Sequence, residues 1–272
     1  MKKNEAKVRK MVREGYGKIA KQENSNCGCG CGAVTNVSEQ MGYTKEELNA
    51  VPEGADLNLG CGNPVALASL KEGETVIDLG SGGGLDCFLA AKKVGSKGKV
   101  IGVDMTTEML DRARANSKKG KYTNVEFRLG EIENLPVADK TADVIISNCV
   151  INLSPNKQRV FEEAYRVLKP NGRLMISDMV LLKDIPEAIV KNVEAYIGCI
   201  AGAEKKQDYL EQIKKAGFNK VEIVKETTLP FEVLVSNTTA QQVMRQLKIT
   251  KKKAEEIFGS VVSIKVSATK LK

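Results

Sequence analysis

Hydrophobic residues recur at two different spacings along the chain, and the spacing changes near residue 70. In residues 4–21 the apolar positions return every three or four residues, which predicts an amphipathic helix. After residue 70, short runs rich in valine and isoleucine alternate with segments of helical spacing. Such runs between helices are typical of strands buried on both faces. We therefore expect an α/β fold with a doubly wound, mainly parallel sheet.

The predicted elements divide the chain into three parts. The strand pattern occurs in "ETVIDLG", "KVIGVDM", "NVEFRLG", "ADVIISNCV" and "GRLMISDMV", and again in the C-terminal "VVSIKVSATK". Before them, Thr44 and Glu47 have the spacing of a helix capping box, and Pro64 suits the first position of another helix. We expect a helical N-terminal arm with a cysteine-rich loop (1–69), a central domain with substrate-side helices (70–228) and a small α+β extension (229–272).

Composition and charge exclude several classes of protein. The 272 residues are 42% hydrophobic and 28% charged, which is enough apolar material for a packed core. The net charge of +8 is scattered over predicted helix faces, so we expect no nucleic-acid groove. The chain has no run of apolar residues long enough to span a membrane, and its charged N-terminus is unlike a signal peptide. A cytoplasmic location is expected.

A glycine-rich turn joins the first predicted strand to the helix that follows it. In "VIDLGSGGGLD", Gly80, Gly82 and Gly84 allow a sharp turn and let a ligand approach the backbone. Asp104 ends the second strand, where a carboxylate can accept hydrogen bonds from two ribose hydroxyls. The pattern predicts a nucleoside-containing cofactor, although the spacing alone does not exclude NAD or FAD.

The chain has seven cysteines and no histidine. They are Cys27, Cys29, Cys31, Cys61, Cys87, Cys149 and Cys199. An odd number in a cytoplasmic protein argues against a fixed disulfide framework. Cys87 falls within a predicted helix and is expected to be a small buried residue. Glycines flank Cys61 and the three N-terminal cysteines, which indicates that no packed element surrounds them.

Three of the cysteines are expected to meet above the cofactor. Cys149 directly follows the fourth strand, and the carboxyl ends of parallel strands open onto the ligand crevice. Cys199 and Cys61 lie on two other segments that can reach the same place. A converging set of thiolates suits a soft, thiophilic ion.

Four segments resemble the motifs of class I S-adenosylmethionine (SAM)-dependent methyltransferases, which have a Rossmann-like fold. They are "DLGSGGG", "GVDMTTEML", "GEIENLPVADKTADVIISN" and "EAYRVLKPNGRLMISD". The resemblance implies SAM as the methyl donor, and core packing is the alternative role for Met105 and Ile132. The expected cofactor-binding residues are Asp78, Gly80, Ser81, Gly82, Asp104, Met105, Glu131, Ile132, Glu133 and Asn148.

The cysteine segments "SNCVINL", "IGCIAGA" and "GCGNP" resemble those of arsenite SAM methyltransferases. This resemblance implies that Cys149 and Cys199 hold trivalent arsenic. It implies that Cys61 is a third ligand and forms a transient disulfide with an N-terminal cysteine. The sequence departs from the family because three candidates stand where one is expected. Distance along the chain favours Cys31, while Cys29 or Cys27 remain alternatives.

The implied chemistry agrees with the absence of histidine. Arsenic bound by thiolates keeps a lone pair that can attack the sulfonium methyl group, so no general base is needed. Methylation leaves pentavalent arsenic, which two nearby thiols can reduce by forming a disulfide. The expected partners are arsenite or its thiol conjugate and a thiol reductant such as thioredoxin or glutathione, and no structural metal is expected.

Two other functions remain open from the sequence. The SAM motifs suit any acceptor, so the substrate of a methyltransferase can also be a small organic carbon, oxygen or sulfur compound. Alternatively, Cys27, Cys29, Cys31 and Cys61 form a zinc site in a non-enzymatic thiol module. The C-x-C-x-C spacing of the N-terminal cysteines departs from the C-x2-C spacing usual for structural zinc.

Overall fold

The computed structural model describes residues 5–21, 37–228, 241 and 244–272, and its centre is a single sheet. The strands are Thr75–Leu79 (β1), Lys99–Asp104 (β2), Val125–Leu129 (β3), Ala142–Asn148 (β4), Leu168–Leu181 (β5), Asn219–Thr228 (β6) and Val261–Thr269 (β7). Their order in the sheet is β3-β2-β1-β4-β5-β7-β6. β1 to β5 pair in parallel, and β7 runs antiparallel to both of its neighbours.

Helices cover both faces of this sheet. Within the described residues the α-helices are Glu5–Lys21 (α1), Val37–Gln40 (α2), Lys45–Asn49 (α3), Pro64–Leu67 (α4), Leu85–Val94 (α5), Thr107–Lys119 (α6), Lys157–Val167 (α7), Glu187–Val190 (α8), Val193–Ile197 (α9), Lys206–Lys215 (α10) and Lys251–Phe258 (α11). The capping box of α3 is present, because the Thr44 hydroxyl accepts from the Glu47 N–H and the Glu47 carboxylate accepts from the Thr44 N–H.

The central strands are held by apolar layers on both faces. Ile77 of β1 lies opposite Ile101 of β2 and Ile145 of β4, and all three side chains are buried. Separate clusters of buried aliphatic residues cover the two faces of the sheet. The doubly wound, mainly parallel α/β fold expected from the strand pattern is therefore confirmed.

The chain reverses its direction of winding between β1 and β4. β2 and β3 lie on one side of β1, and β4 and β5 lie on the other. In such a sheet the loops that leave the carboxyl ends of these two strands separate and leave a crevice. Gly80 follows β1 and Cys149 follows β4. Two segments with candidate chemistry therefore start on opposite sides of one opening.

The C-terminal strand belongs to the main sheet. β7 lies between β5 and β6, with Ser263 opposite Met179 of β5 and with Val262, Ile264 and Val266 buried. β7 is therefore part of the main sheet, while the division of the chain at residue 229 into a small α+β extension stays a prediction. Local pattern identifies a strand but does not identify its partner. The antiparallel register brings the start of β7 next to the carboxyl end of β5, close to the crevice.

The N-terminal helix is docked on the central domain. α1 packs against α6 and α9, and it buries Val8 and Val12. The Lys21 ammonium forms an ion pair with Glu108 of α6 at 2.9 Å. Within the ranges 5–21, 37–228 and 244–272, no helix combines the length and the apolar character needed to cross a bilayer.

Candidate active site

A deep cleft occupies the crevice at the carboxyl ends of β1 and β4. It encloses about 1060 Å³, part of which is open to solvent. The expected cofactor residues that line it are Asp78, Gly80, Ser81, Gly82, Asp104, Met105, Ile132, Glu133 and Asn148. Cys149 lines the same cleft, and so do Arg9, Val12 and Tyr16 of α1. One cavity therefore contacts the glycine turn, a cysteine and the N-terminal helix.

The glycine turn is shaped by backbone hydrogen bonds to β2. The Gly80 N–H donates to the Val103 carbonyl at 2.8 Å, and its φ of +69° lies in the left-handed region. A Cβ at Gly80 would overlap the side chain of Val150. Glycine is therefore required here both by the backbone conformation and by the close approach of the β4 loop.

Asp104 is held in one orientation by the backbone around it. Its Oδ2 accepts from the Gly82 N–H at 2.9 Å, and its Oδ1 accepts from the Thr106 N–H at 2.8 Å. Each carboxylate oxygen has a second lone pair that can accept from a ligand hydroxyl. This arrangement suits two neighbouring ribose hydroxyls.

Three carboxylates surround the glycine turn, of which Asp78 and Asp86 are buried and Asp104 is half-buried. Burial raises the pKa of Asp78 well above its usual value, and repulsion from Asp86 adds to the effect. Burial also raises the pKa of Asp86, to about 6, and that of Asp104. A ligand with positive charge would relieve this excess of negative charge. The buried Ser81 hydroxyl has no hydrogen-bond partner within the described part of the chain, so a ligand can also satisfy this group.

These features fit S-adenosylmethionine. Its sulfonium and ammonium groups are cationic, and its ribose offers two hydroxyls to Asp104. Ile132 and Glu133, which the sequence resemblance places beside the adenine, line the same cleft. The Glu133 carboxylate accepts from the Ser154 hydroxyl at 2.7 Å and from Arg9 at 3.3 Å. Glu131 instead forms ion pairs with Arg9 and Arg13 of α1, at 3.3 and 3.4 Å.

Helix α1 contributes residues that the sequence analysis does not assign to the site. The Tyr16 hydroxyl donates to the Ile197 carbonyl at 3.2 Å, two residues before Cys199. Arg9, Val12 and Tyr16 are spaced by three and four residues, so they share one face of the helix. The helical spacing identifies this face, but it carries no information on what the face covers.

Cys61 and Cys149 meet beside the cleft, and Cys149 lines it. They form a disulfide, with their Cα atoms 5.6 Å apart. The resemblance to arsenite methyltransferases implies an N-terminal partner for Cys61. Cys27, Cys29 and Cys31 lie outside the described residues, as does the zinc site that would include them. Within the described residues, Cys61 pairs with Cys149.

Cys199 lies next to this pair. Its buried thiol donates to the Cys149 carbonyl at 2.9 Å. Burial raises the pKa of the thiol, and repulsion from Asp178 adds to the shift. Cys149 and Cys199 have φ values of +60° and +62°, a region that residues other than glycine rarely adopt. Such strained positions cluster at functional sites. The structure thus brings Cys61, Cys149 and Cys199 together.

Cys87 is separate from this group. Its buried thiol donates to Oδ2 of Asp78, two residues before Gly80, at 3.2 Å. Burial raises its pKa well above the usual value, so the neutral thiol is favoured. It is the small buried residue that the helical context predicts.

Comparison with known proteins identifies relatives that are named arsenite methyltransferase. Residues 70–217 match the family described as "Methyltransferase domain". An arsenite methyltransferase from Halobacterium salinarum is 49% identical over 228 residues, which are 79% of this chain and 58% of the relative. The human arsenite methyltransferase is 35% identical over 224 residues, which are 79% of this chain and 59% of the relative. The chain thus spans just over half the length of these curated relatives.

A solved structure agrees with these sequence matches. The crystal structure of an arsenic(III) S-adenosylmethionine methyltransferase from Chlamydomonas reinhardtii superposes with a TM-score of 0.62 at 30% identity. The match covers 87% of this chain and 73% of the algal one.

Proposed function

The chain belongs to the family of S-adenosylmethionine-dependent methyltransferases, and we propose that it methylates trivalent arsenic. The observation that carries this proposal is that Cys149 lines the cleft that fits the cofactor and that Cys61 and Cys199 both contact Cys149. Arsenite methyltransferases among the relatives support the same substrate.

The residues around the glycine turn would hold the methyl donor. Asp104 is oriented for the ribose, Ile132 and Glu133 for the adenine, and the carboxylates of Asp78 and Asp86 favour the cationic methionine end. When bound, S-adenosylmethionine supplies a methyl group that the sulfonium makes electrophilic.

The three thiols would hold the acceptor. Soft sulfur ligands prefer thiophilic ions, and in their reduced forms Cys61, Cys149 and Cys199 offer three such ligands to one arsenic atom. Arsenic bound in this way keeps its lone pair and carries no proton to remove. The thiols therefore act by binding and alignment, which can supply a large part of a rate enhancement. This agrees with a chain that contains no histidine.

The same thiols would supply the electrons that restore trivalent arsenic. Transfer of the methyl group oxidises arsenic from the trivalent to the pentavalent state. Two thiolates return two electrons and become one disulfide, which an external thiol such as thioredoxin or glutathione then reduces. The pairing of Cys61 with Cys149 supports this step, because it shows two crevice sulfurs within bonding reach. The N-terminal cysteines would provide further reducing thiols.

A panel of acceptors tests the substrate. The reduced protein is incubated with methyl-labelled SAM and with arsenite, small thiols, phenols or quinols in parallel. We expect label only in methylated arsenic. Label in an organic acceptor, with none in arsenic, would replace this proposal by the function of an organic methyltransferase. Elemental analysis of the purified protein gives an independent check, since one zinc per chain would favour the thiol module.

A further inference from the structure

The segment Gly60–Cys61–Gly62 packs against residues of three strands, β4, β5 and β7, although it has little regular structure of its own. A Cβ at Gly60 would lie 2.6 Å from the Asn148 amide nitrogen. A Cβ at Gly62 would overlap the Ser177 hydroxyl and lie 3.0 Å from the Lys265 side chain. The expectation that these glycines leave Cys61 unpacked is therefore wrong. They allow the backbone of the segment to approach the sheet.

One amide side chain binds this segment on both sides of the cysteine. The Cys61 N–H donates to Asn148 Oδ1 at 2.9 Å, and Asn148 Nδ2 donates to the Gly62 carbonyl at 2.7 Å. The amide is itself oriented, because Nδ2 also donates to the Tyr43 hydroxyl at 2.8 Å and to Asp86 at 3.1 Å. Asn148 was expected to bind the cofactor. It lines the cleft, but its polar atoms are engaged with the Cys61 segment.

The strand β7 binds the backbone of Cys61 from a second side. The Ser263 hydroxyl of β7 donates to the Cys61 carbonyl at 2.9 Å, across 202 positions of sequence. Both backbone polar groups of Cys61 thus have side-chain partners, one from the end of β4 and one from β7. These partners lie on strands of one sheet, so their spacing is fixed by the ladder of β4, β5 and β7.

We propose that Asn148 and Ser263 are positioning residues that hold the Cys61 thiol against Cys149. Side chains that fix the backbone of a reactive residue raise the effective concentration of its functional group. Loss of either partner should allow the Cys61 segment to move away from Cys149. The expected effect on arsenite binding rests on the proposed function. The expected effect on disulfide formation does not, because the pairing of two thiols is measurable without arsenic.

The test measures how readily the Cys61–Cys149 disulfide forms in the full-length protein. In mixtures of reduced and oxidised glutathione, two reduced molecules convert the disulfide to two thiols and leave as one oxidised molecule. Alkylation and peptide mass analysis give the fraction of this disulfide at each ratio. Ser267→Ala is the matched control, because Ser267 lies two pairs of residues further along the same face of β7.

We expect Ser263→Ala to lower the equilibrium constant for disulfide formation about fivefold, as the loss of one hydrogen bond predicts, and Asn148→Ala about 20-fold. Ser263→Thr retains the hydroxyl and should restore the constant to within about twofold of wild type by the same reasoning. Thermal unfolding of the two serine-to-alanine variants should be alike. Equal disulfide constants for wild type, Ser263→Ala and Ser267→Ala would overturn the proposal.

A parallel titration with arsenite separates the two proposals. For reduced Ser263→Ala we expect arsenite to bind about fivefold more weakly, with unchanged affinity for SAM. If the disulfide constant falls while arsenite affinity stays constant, the positioning role holds and the assignment of Cys61 as an arsenic ligand fails. If neither quantity changes, the positioning role is wrong.

Discussion

The two walls of the cleft are built in different ways. The cofactor wall, from Val76 to Thr106, is one continuous strand–turn–helix–strand segment, and backbone N–H groups orient its key carboxylate. The thiol wall consists of Cys61, Cys149 and Cys199. Cys61 is bonded to Cys149, which is 88 positions away, and Cys149 accepts a hydrogen bond from Cys199, 50 positions further on. The cofactor wall is thus specified locally, whereas the thiol wall depends on the whole fold. Substitutions in the two walls should therefore separate the binding of the two substrates.

The largest effect is expected on the thiol wall. Cys149→Ser or Cys199→Ser replaces a soft sulfur ligand by a hard oxygen, so arsenite methylation should fall by at least about 100-fold, equivalent to roughly 3 kcal/mol. SAM binding, measured by calorimetry, should stay within about twofold because its residues are untouched.

Cys87→Ser is the control for these cysteine variants. It keeps a hydrogen-bond donor toward Asp78 and lies outside the thiol wall. Full activity of Cys149→Ser and Cys199→Ser would show that the thiol wall does not hold arsenic.

On the cofactor wall a smaller effect is expected, and here the affinity for SAM falls while the affinity for arsenite is unchanged. Asp104→Ala removes a carboxylate placed for two ribose hydroxyls, so SAM affinity should fall roughly 10- to 100-fold, as expected for hydrogen bonds to a charged group. Arsenite binding to the reduced protein should be unchanged in an equilibrium titration. Asp111→Ala, on the exposed face of α6, is the matched control. An equal loss of both affinities in Asp104→Ala would show that the walls are not independent.

Helix α1 lies near both walls, so a substitution in it shows which of the two substrates each of its residues helps to bind. Tyr16→Phe removes the hydroxyl that donates to the Ile197 carbonyl, two residues before Cys199, but keeps the ring. One lost hydrogen bond predicts about a threefold loss of arsenite affinity, with little change for SAM. The two titrations that serve for Asp104→Ala measure this. A larger loss for SAM than for arsenite would assign Tyr16 to the cofactor wall.

The smallest effect on the binding of either substrate is expected from Asp178, a buried carboxylate that interacts with the Cys199 thiol and whose titration acts on stability. Burial raises its pKa to about 7, so the folded protein retains a proton that the unfolded chain releases near pH 4. This group therefore makes the free energy of unfolding fall as the pH rises from about 4 to about 7, by at most about 1.4 kcal/mol per pH unit.

Asp178→Asn should flatten that dependence in chemical denaturation, because the amide does not titrate. Its carbonyl oxygen can still accept from Met179 and Asn152. Identical pH profiles of stability in wild type and Asp178→Asn would show that Asp178 titrates at its ordinary value in the folded protein.

The contrast between the walls also explains how much of the molecule the sequence predicts. The alternation of apolar runs and helical segments predicts β1 to β5 and the glycine turn, because these features depend on neighbouring residues. The place of β7 is not predictable in this way, since its partners are up to 96 residues away and any antiparallel register gives the same alternation. The roles of Asn148 and Ser263 have no local signal, because each is defined by a distant backbone group.

The glycines around Cys61 show how one signal can have two causes. In sequence, glycine on both sides of a cysteine indicates a segment free of packing. In the structure, the same glycines are needed because a Cβ would collide with Asn148 or Ser177. Small residues permit both freedom and close approach, and only the surrounding strands decide which of the two applies.

X-ray absorption at the arsenic edge tests the convergence of the three thiols most directly. Reduced protein with one equivalent of arsenite should show arsenic bound by three sulfur atoms and no oxygen, and Cys61→Ser should reduce the sulfur number to two. Arsenic that retains oxygen ligands in the wild type, or three sulfur ligands that persist in both Cys149→Ser and Cys199→Ser, would contradict an arsenic site formed by these cysteines.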